Sequence, residues 1–262
     1  MRAANALIPA VMLLFVPPTL GAEKTYEATP KLLKEGAKLY SQYCAECHGE
    51  DGKGLGPAAQ SLGMVCRDFT EAIFEFRTTP SGYLPADEDL YRTLTKGIRL
   101  SMESAKNMRP FKDLSSKKRW ALVHYLKTFS PRWGDPEEHA EPITIPEPPP
   151  ATREAIERGK ELWQKVQCWH CHGPDGRGDG PSAPGLKDHR GNPSPPADLT
   201  NPELIEGGAT PADIYRTFTT GLNGTPMPSF EDSLDDGQRW DLVYFVLTFG
   251  LGVDGVLDRY GR

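Results

Sequence analysis

The chain has 262 residues, 38% of them apolar and 25% charged, which suits one large core or two smaller ones and excludes a disordered chain. Its formal net charge of −6, with no basic stripe, excludes an ordinary nucleic-acid binder, which needs a basic face against phosphate. The 25 prolines and 26 glycines predict much loop and turn.

Residues 1–22 read as a secretory signal. Arg2 supplies a positive start, Leu7 to Val16 an apolar run broken only by Pro9, and Gly21-Ala22 small residues for cleavage. The run is too short for an ordinary bilayer-spanning helix. The expected location is the periplasm, with an uncleaved membrane anchor as the alternative. Leu32 to Tyr43 places apolar residues on one helical stripe. Asp87 to Thr95 predicts a short helix with acidic residues at its start, where negative charge is favourable. Ser115 or Ser116 can cap a helix running to about Phe129, and a similar helix is expected from about Asp235 to Phe249. No stretch alternates as a strand does, so the expected fold is all-α.

Five cysteines stand at 44, 47, 66, 168 and 171, and four form two copies of one pattern. These are Cys44-Ala-Glu-Cys47-His48 and Cys168-Trp-His-Cys171-His172, each followed by a glycine-rich loop ending at Pro57 or Pro181. The match extends on both sides. Gly36 to Tyr40 answers Gly159 to Trp163, and Asp89 to Gly97 answers Asp213 to Gly221. Met108-Arg-Pro-Phe111 answers Met227-Pro-Ser-Phe230, and Trp120 to Phe129 answers Trp240 to Phe249. A repeat of this length is a duplicated domain. The expected domains are 30–130 and 152–252, joined by a proline-rich linker over 131–151. Prolines lack amide donors and restrict their neighbours, so the linker should be extended and fairly stiff.

Cys-x-x-Cys-His is the attachment sequence for c-type haem: two thiols make thioethers to the haem edge and the histidine reaches iron. Two haems, covalently held, are therefore expected, on Cys44, Cys47 and His48 and on Cys168, Cys171 and His172. A thiol redox pair would want a thioredoxin-like βαβ context. A zinc site would want a fourth ligand at finger spacing. Disulfides would not require a histidine after each pair. Met227, between two prolines, is the expected sixth iron ligand of the second haem. In the first half, spacing to the final tryptophan favours Met108 over Met102. His124, His170 and Cys66 read more plainly as packing or surface residues than as ligands. Cys66 faces a proline, Pro196, at the matching place in the second half.

Both halves resemble class I c-type cytochromes of the bacterial tandem kind, and the likeness covers the expected mature chain except the linker and the last ten or so residues. The resemblance implies two cytochrome c-like haem domains in tandem. It also implies a close glycine–aromatic crossing between first and last helices, with Gly36 and Tyr40 against Tyr125 and Gly159 and Trp163 against Tyr244. It implies further that the Pro57 and Pro181 carbonyls receive the second ring nitrogen of each haem histidine, and that Met108 and Met227 are axial ligands. The expected role is electron transfer to or from a periplasmic or membrane-bound respiratory oxidoreductase, without catalysis of its own. The expected partner is a redox protein: an oxidoreductase, an oxidase or another cytochrome. The alternative is a dihaem enzyme, such as a cytochrome c peroxidase or a thiosulfate-oxidising cytochrome.

Overall fold

The computed structural model describes residues 25–100 and 107–261. The expected signal segment and Met102 lie outside the described residues. The first half contains α1 (Pro30–Tyr43), α2 (Ala45–His48), α3 (Pro57–Ser61), α4 (Asp87–Lys96) and α5 (Ser116–Lys127). The second contains α6 (Arg153–Lys165), α7 (Trp169–His172), α8 (Pro211–Thr220) and α9 (Asp236–Tyr260). Among the described residues there is no β-strand, only the isolated bridges Ile98–Met108 and Lys187–Pro193.

Local chemistry sets where these helices begin. The Thr29 hydroxyl accepts from the Leu32 amide at 3.2 Å, and Pro30 then opens α1 with φ already suited to a helix. Thr152 caps α6 in the same way, and Asp235 with Gln238 makes a reciprocal capping box on α9.

Two cores form, one per half, each where its first helix crosses its last. Leu32, Leu39 and Tyr40 of α1 pack with Trp120, Leu122, Val123 and Leu126 of α5. Ile156, Leu162 and Trp163 of α6 pack with Trp240, Leu242, Val243 and Val246 of α9. Glycine makes both crossings possible. A β-carbon on Gly36 would stand 2.2 Å from the Ala121 carbonyl oxygen, and one on Gly159 would stand 2.1 Å from that of Asp241. The aromatic partner is Tyr125 in the first half, its ring 5.4 Å from Tyr40. In the second half it is Phe245, 5.7 Å from Trp163. The expected Tyr244 is one residue off, and a helical residue turns about 100° from its neighbour. Tyr244 points instead to the linker, where its hydroxyl donates to the Pro149 carbonyl.

The second packed unit reaches past 152–252. Gly252 has φ 70°, and the chain beyond it brings Val253, Leu257 and Tyr260 onto the same core. Helix α9 is long and apolar enough to cross a membrane, but Trp240, Leu242, Val243, Tyr244 and Val246 are buried within this core. The Tyr260 carbonyl accepts from Ala151 at 2.8 Å and Ile145 packs on the core, so the end of the linker belongs to it. Earlier, the linker makes two 3₁₀ turns, Pro131–Gly134 and Pro136–Glu138. Arg132 there donates to the Glu71 and Ala72 carbonyls, and Ile143 donates to Thr78 at 2.7 Å. Only beyond Glu138 does the linker run without helix, and it is docked along both halves.

Candidate functional site

Each Cys-x-x-Cys-His segment is wound into one helical turn, α2 or α7, clamped by the glycine loop that follows it. His48 O accepts from Gly54 N at 2.8 Å, and Cys47 O from Gly56 N at 3.0 Å. In the second half His172 O accepts from Gly178 N at 2.8 Å, and Cys171 O from Gly180 N at 3.1 Å. Side chains have no room here. A β-carbon on Gly56 would meet the Glu46 carbonyl oxygen at 2.4 Å, and one on Gly180 that of His170, also at 2.4 Å. The loops also lie on the last helices, with Gly52 against Phe129 and Gly176 against Phe249.

The two histidine rings are fixed from behind. His48 Nδ1 lies 3.2 Å from the Arg67 carbonyl oxygen, and His172 Nδ1 lies 3.4 Å from that of Ala197. A facing carbonyl requires the hydrogen on Nδ1 and leaves Nε2 free as a donor atom for a metal. The acceptors expected from the resemblance, Pro57 and Pro181, are thus corrected to Arg67 and Ala197. Pro57 instead opens α3, and Pro181 follows the clamped Gly180. The chain returns to each histidine by a later loop, whose length differs between halves.

Burial pulls both rings below the ordinary histidine pKa, although the carbonyl bonds push the other way. Both are therefore neutral at pH 7, the form that binds metal. Phe69 stacks on His48 with centroids 4.6 Å apart, while the corresponding cover on His172 is Trp163 at 5.9 Å. Burial also pushes the Cys44 and Cys168 thiols up to about 12.

Each half also carries a methionine loop. The Met108 carbonyl accepts from Ile98 at 2.9 Å, and the Met227 carbonyl from Leu222 at 3.1 Å. In each case the donor follows the glycine that ends a helix, Gly97 (φ 69°) after α4 or Gly221 (φ 63°) after α8. Phe111 N donates to Leu94 O and Phe230 N to Phe218 O, both at about 2.8–2.9 Å, so the loops share one backbone frame. Met108 and Met227 are partly buried against their respective cores.

The remaining candidates have local partners. His124 Nε2 lies 2.5 Å from the Tyr26 carbonyl, and His170 Nδ1 lies 3.3 Å from the Ser182 hydroxyl. The Cys66 side chain hydrogen-bonds to Cys47, and burial pushes its thiol up to about 11. Among the described residues no three His, Cys, Asp or Glu side chains converge, so a zinc cage lacks its donor set.

The residues present fit a covalently held haem: paired thiols and a neutral imidazole on one turn, with apolar and aromatic cover. Arg77 is buried at the seam between the halves, where its Nη2 donates to the Thr220 carbonyl. Sequence reasoning missed this residue, since an arginine on a loop reads as solvated, and no local signal marks it.

Residues 156–250 match the family model described as cytochrome c, and residues 31–126 match cytochrome C oxidase, cbb3-type, subunit III. A chain of the Kuenenia stuttgartiensis reducing HAO-like protein complex is 42% identical, with a TM-score of 0.78, covering 85% of this chain and 97% of that one. The present chain belongs to that protein's family. It is an all-helical, two-domain, cytochrome-type protein with a role in haem-mediated electron transfer linked to a respiratory or oxidative multihaem complex. More distant relatives are the photosystem II extrinsic protein V of Porphyra purpurea and of Guillardia theta. They are 24% and 26% identical over 45% and 43% of this chain, and 74% and 72% of their own length.

This kinship corrects the expectation of an electron carrier without catalysis of its own. A likeness running through both halves to a component of an HAO-like redox complex argues against a purely non-catalytic role. It favours the alternative of a dihaem enzyme over the carrier.

Proposed function

We propose that this chain is the dihaem component of a catalytic multihaem redox complex, located in the periplasm and working against a larger redox partner. The observation that carries this reading is the 42% identity to a chain of the reducing HAO-like protein complex, over 97% of that chain and 85% of this one, so the match runs through both haem-motif halves. Cys44, Cys47 and His48 hold one haem c, and Cys168, Cys171 and His172 the other, with Met108 and Met227 on the opposite faces. Bound haem supplies one-electron exchange with little rearrangement, and methionine ligation raises its potential relative to a second histidine.

The protein's own contribution is positional. Arg67 and Ala197 carbonyls orient the imidazoles, the glycine loops lock the attachment turns, and Ile98 and Leu222 pin the methionine loops. The two halves meet along a fixed seam. Glu71 pairs with His189 at 2.8 Å, and Asn223 Oδ1 accepts from Ser81 and Gly82 at 3.3 Å each. Arg99 also pairs with Glu203 across it. A fixed relative placement of two redox groups is what a relay inside a complex requires.

The test is to tag the full chain in its native host and purify it gently. A larger multihaem chain should co-purify, and substrate turnover by the complex should reduce the haems of this chain. Isolation as a lone monomer, with the complex active and complete without it, would sink the reading.

A further inference from the structure

The two methionine loops share a backbone frame but carry opposite charge. After Met108 the first reads Arg109-Pro110-Phe111-Lys112-Asp113, a net +1, and after Met227 the second reads Pro228-Ser229-Phe230-Glu231-Asp232, a net −2. The register is fixed by the backbone as well, since Phe111 N donates to Leu94 O as Phe230 N donates to Phe218 O.

Arg109 is held in place. Its guanidinium carbon lies 4.3 Å from the centre of the Phe111 ring and 5.3 Å from that of Tyr43, and Nη1 lies 3.6 Å from Asp113. Aromatic faces attract a cation laid over them. Tyr43 is the residue before Cys44, so the charge is carried to the first attachment turn. There it acts on the sulfur: burial pushes the Cys44 thiol up, and Arg109 pulls against it. Burial raises Cys168 too, but no arginine or lysine opposes it. The second half has Pro228 in the place of Arg109, and Gln167 rather than an aromatic residue before Cys168. Asp113 offsets part of the arginine charge. Its counterpart Asp232 stands without an arginine, so the difference between the halves at this point is a full charge.

Other charges near the attachment turns do not cancel that difference. Arg67, beside His48, is paired with Glu75. The glycine-rich attachment loops differ by one charge in the opposite sense, −2 for Glu46, Glu50, Asp51 and Lys53 against −1 for Asp175, Arg177 and Asp179. The methionine loops differ by three and prevail.

We infer that Arg109 makes the first haem the higher-potential centre of the pair, so that the chain passes electrons from its second half to its first. A fixed positive charge favours the reduced form of a nearby redox centre, and negative charge favours the oxidised form. One electron leaves the second half, which is oxidised, and reduces the first, with no proton or atom transferred. This inference rests on the two-haem reading proposed above.

The experiment is spectroelectrochemical titration of the haem-loaded full chain, with each haem identified by the NMR signals of its ligand methionine. It compares wild type with Arg109→Gln, Arg109→Lys and the double variant Glu231→Gln/Asp232→Asn. In the wild type the first haem is expected to have the higher potential. Arg109→Gln should lower that potential and weaken the first haem's hold on a shared electron about three- to tenfold, up to about 59 mV, while the second haem stays where it was. Arg109→Lys keeps the charge and should retain most of the wild-type value. Glu231→Gln/Asp232→Asn should raise the second haem alone and narrow the gap. These shifts should shrink in about 1 M salt, which screens exposed charges. A first haem of lower potential than the second in the wild type overturns the inference, as does a gap that Arg109→Gln leaves unchanged. Near-infrared absorption shows whether each variant keeps its methionine ligands, so that a shift is read as charge. Should Arg109→Gln lose its ligand, the double variant decides: a narrower gap supports the inference and an unchanged gap overturns it. Haem stoichiometry is read separately by pyridine haemochrome. Fewer than two haems in the wild type refutes the two-haem reading, while two haems in the reverse order of potential refute only the polarity.

Discussion

The Ile98 amide donates to the Met108 carbonyl at 2.9 Å, and the Leu222–Met227 pair repeats that bond at 3.1 Å in the second half. Sequence spacing alone had to choose between Met108 and Met102. The shared bond gives Met108 the backbone setting of Met227, downstream of a left-handed glycine that turns the chain out of its helix.

Ligation by both methionines predicts that Met108→Ala and Met227→Ala each remove about half of the red charge-transfer band of ferric, methionine-bound iron, and lower one haem potential apiece. Near-infrared absorption of the purified holoprotein checks this. A wild-type first haem that binds cyanide readily, with the band unaffected by Met108→Ala, leaves that haem with another ligand.

The helix crossings give a second prediction. Gly36→Ala puts a methyl 2.2 Å from a backbone oxygen of α5, which cannot rotate away as a side-chain end can. Overpacking of this kind costs about 1–3 kcal/mol. Chemical denaturation followed in the first half should show that loss, and Gly159→Ala should show the same in the second. Gly63→Ala, whose added methyl meets nothing within 4 Å, tests the cost of its positive φ (59°) without a clash.

The outcome for individual residues shows what the sequence could and could not reveal. Cys-x-x-Cys-His states its chemistry in five contiguous residues, and the stripe of Leu32, Gly36, Leu39 and Tyr40 marks one face of α1 by local periodicity. The acceptors Arg67 and Ala197 were not legible, because the closing loop is six residues longer from His172 to Ala197 than from His48 to Arg67. Phe245 was missed for Tyr244 because a helix face is lost by an error of one residue. Arg77 depends on Thr220, 143 residues away, and no local pattern encodes such a contact.

A third prediction concerns acid stability. Burial alone raises the Asp213 carboxyl pKa, but hydrogen bonds from Thr210 and Arg216, and the Arg216 charge, hold it below the usual carboxylate value. The Asp213–Arg216 pair is 2.7 Å long and nearly buried. A depressed folded pKa contributes stability that is full above the unfolded value, about 3.9, and is lost as pH falls through the lower folded value. Wild type should therefore lose stability steeply below about pH 4. Asp213→Asn should be less stable at pH 7 and show a flatter acid limb. Equal slopes for the two proteins between pH 2 and 5 would falsify the assignment.

Cys66 supplies the last prediction. It is partly buried and hydrogen-bonded to Cys47, one of the two attachment cysteines, so its position alone could suggest a third haem link or an iron ligand. The repeat opposes that. The second half, with the same clamp and ring geometry, has Pro196 in this place, its carbonyl facing Gly178 as the Cys66 carbonyl faces Gly54. The backbone is what that position contributes. Cys66→Ala should retain two haems per chain, the full methionine band and both potentials, with a cost in stability of about 1 kcal/mol from the lost packing and hydrogen bond. Haem stoichiometry and the near-infrared spectrum read this directly. Loss of one haem, or a changed ligand band in the first half, assigns Cys66 to the haem site.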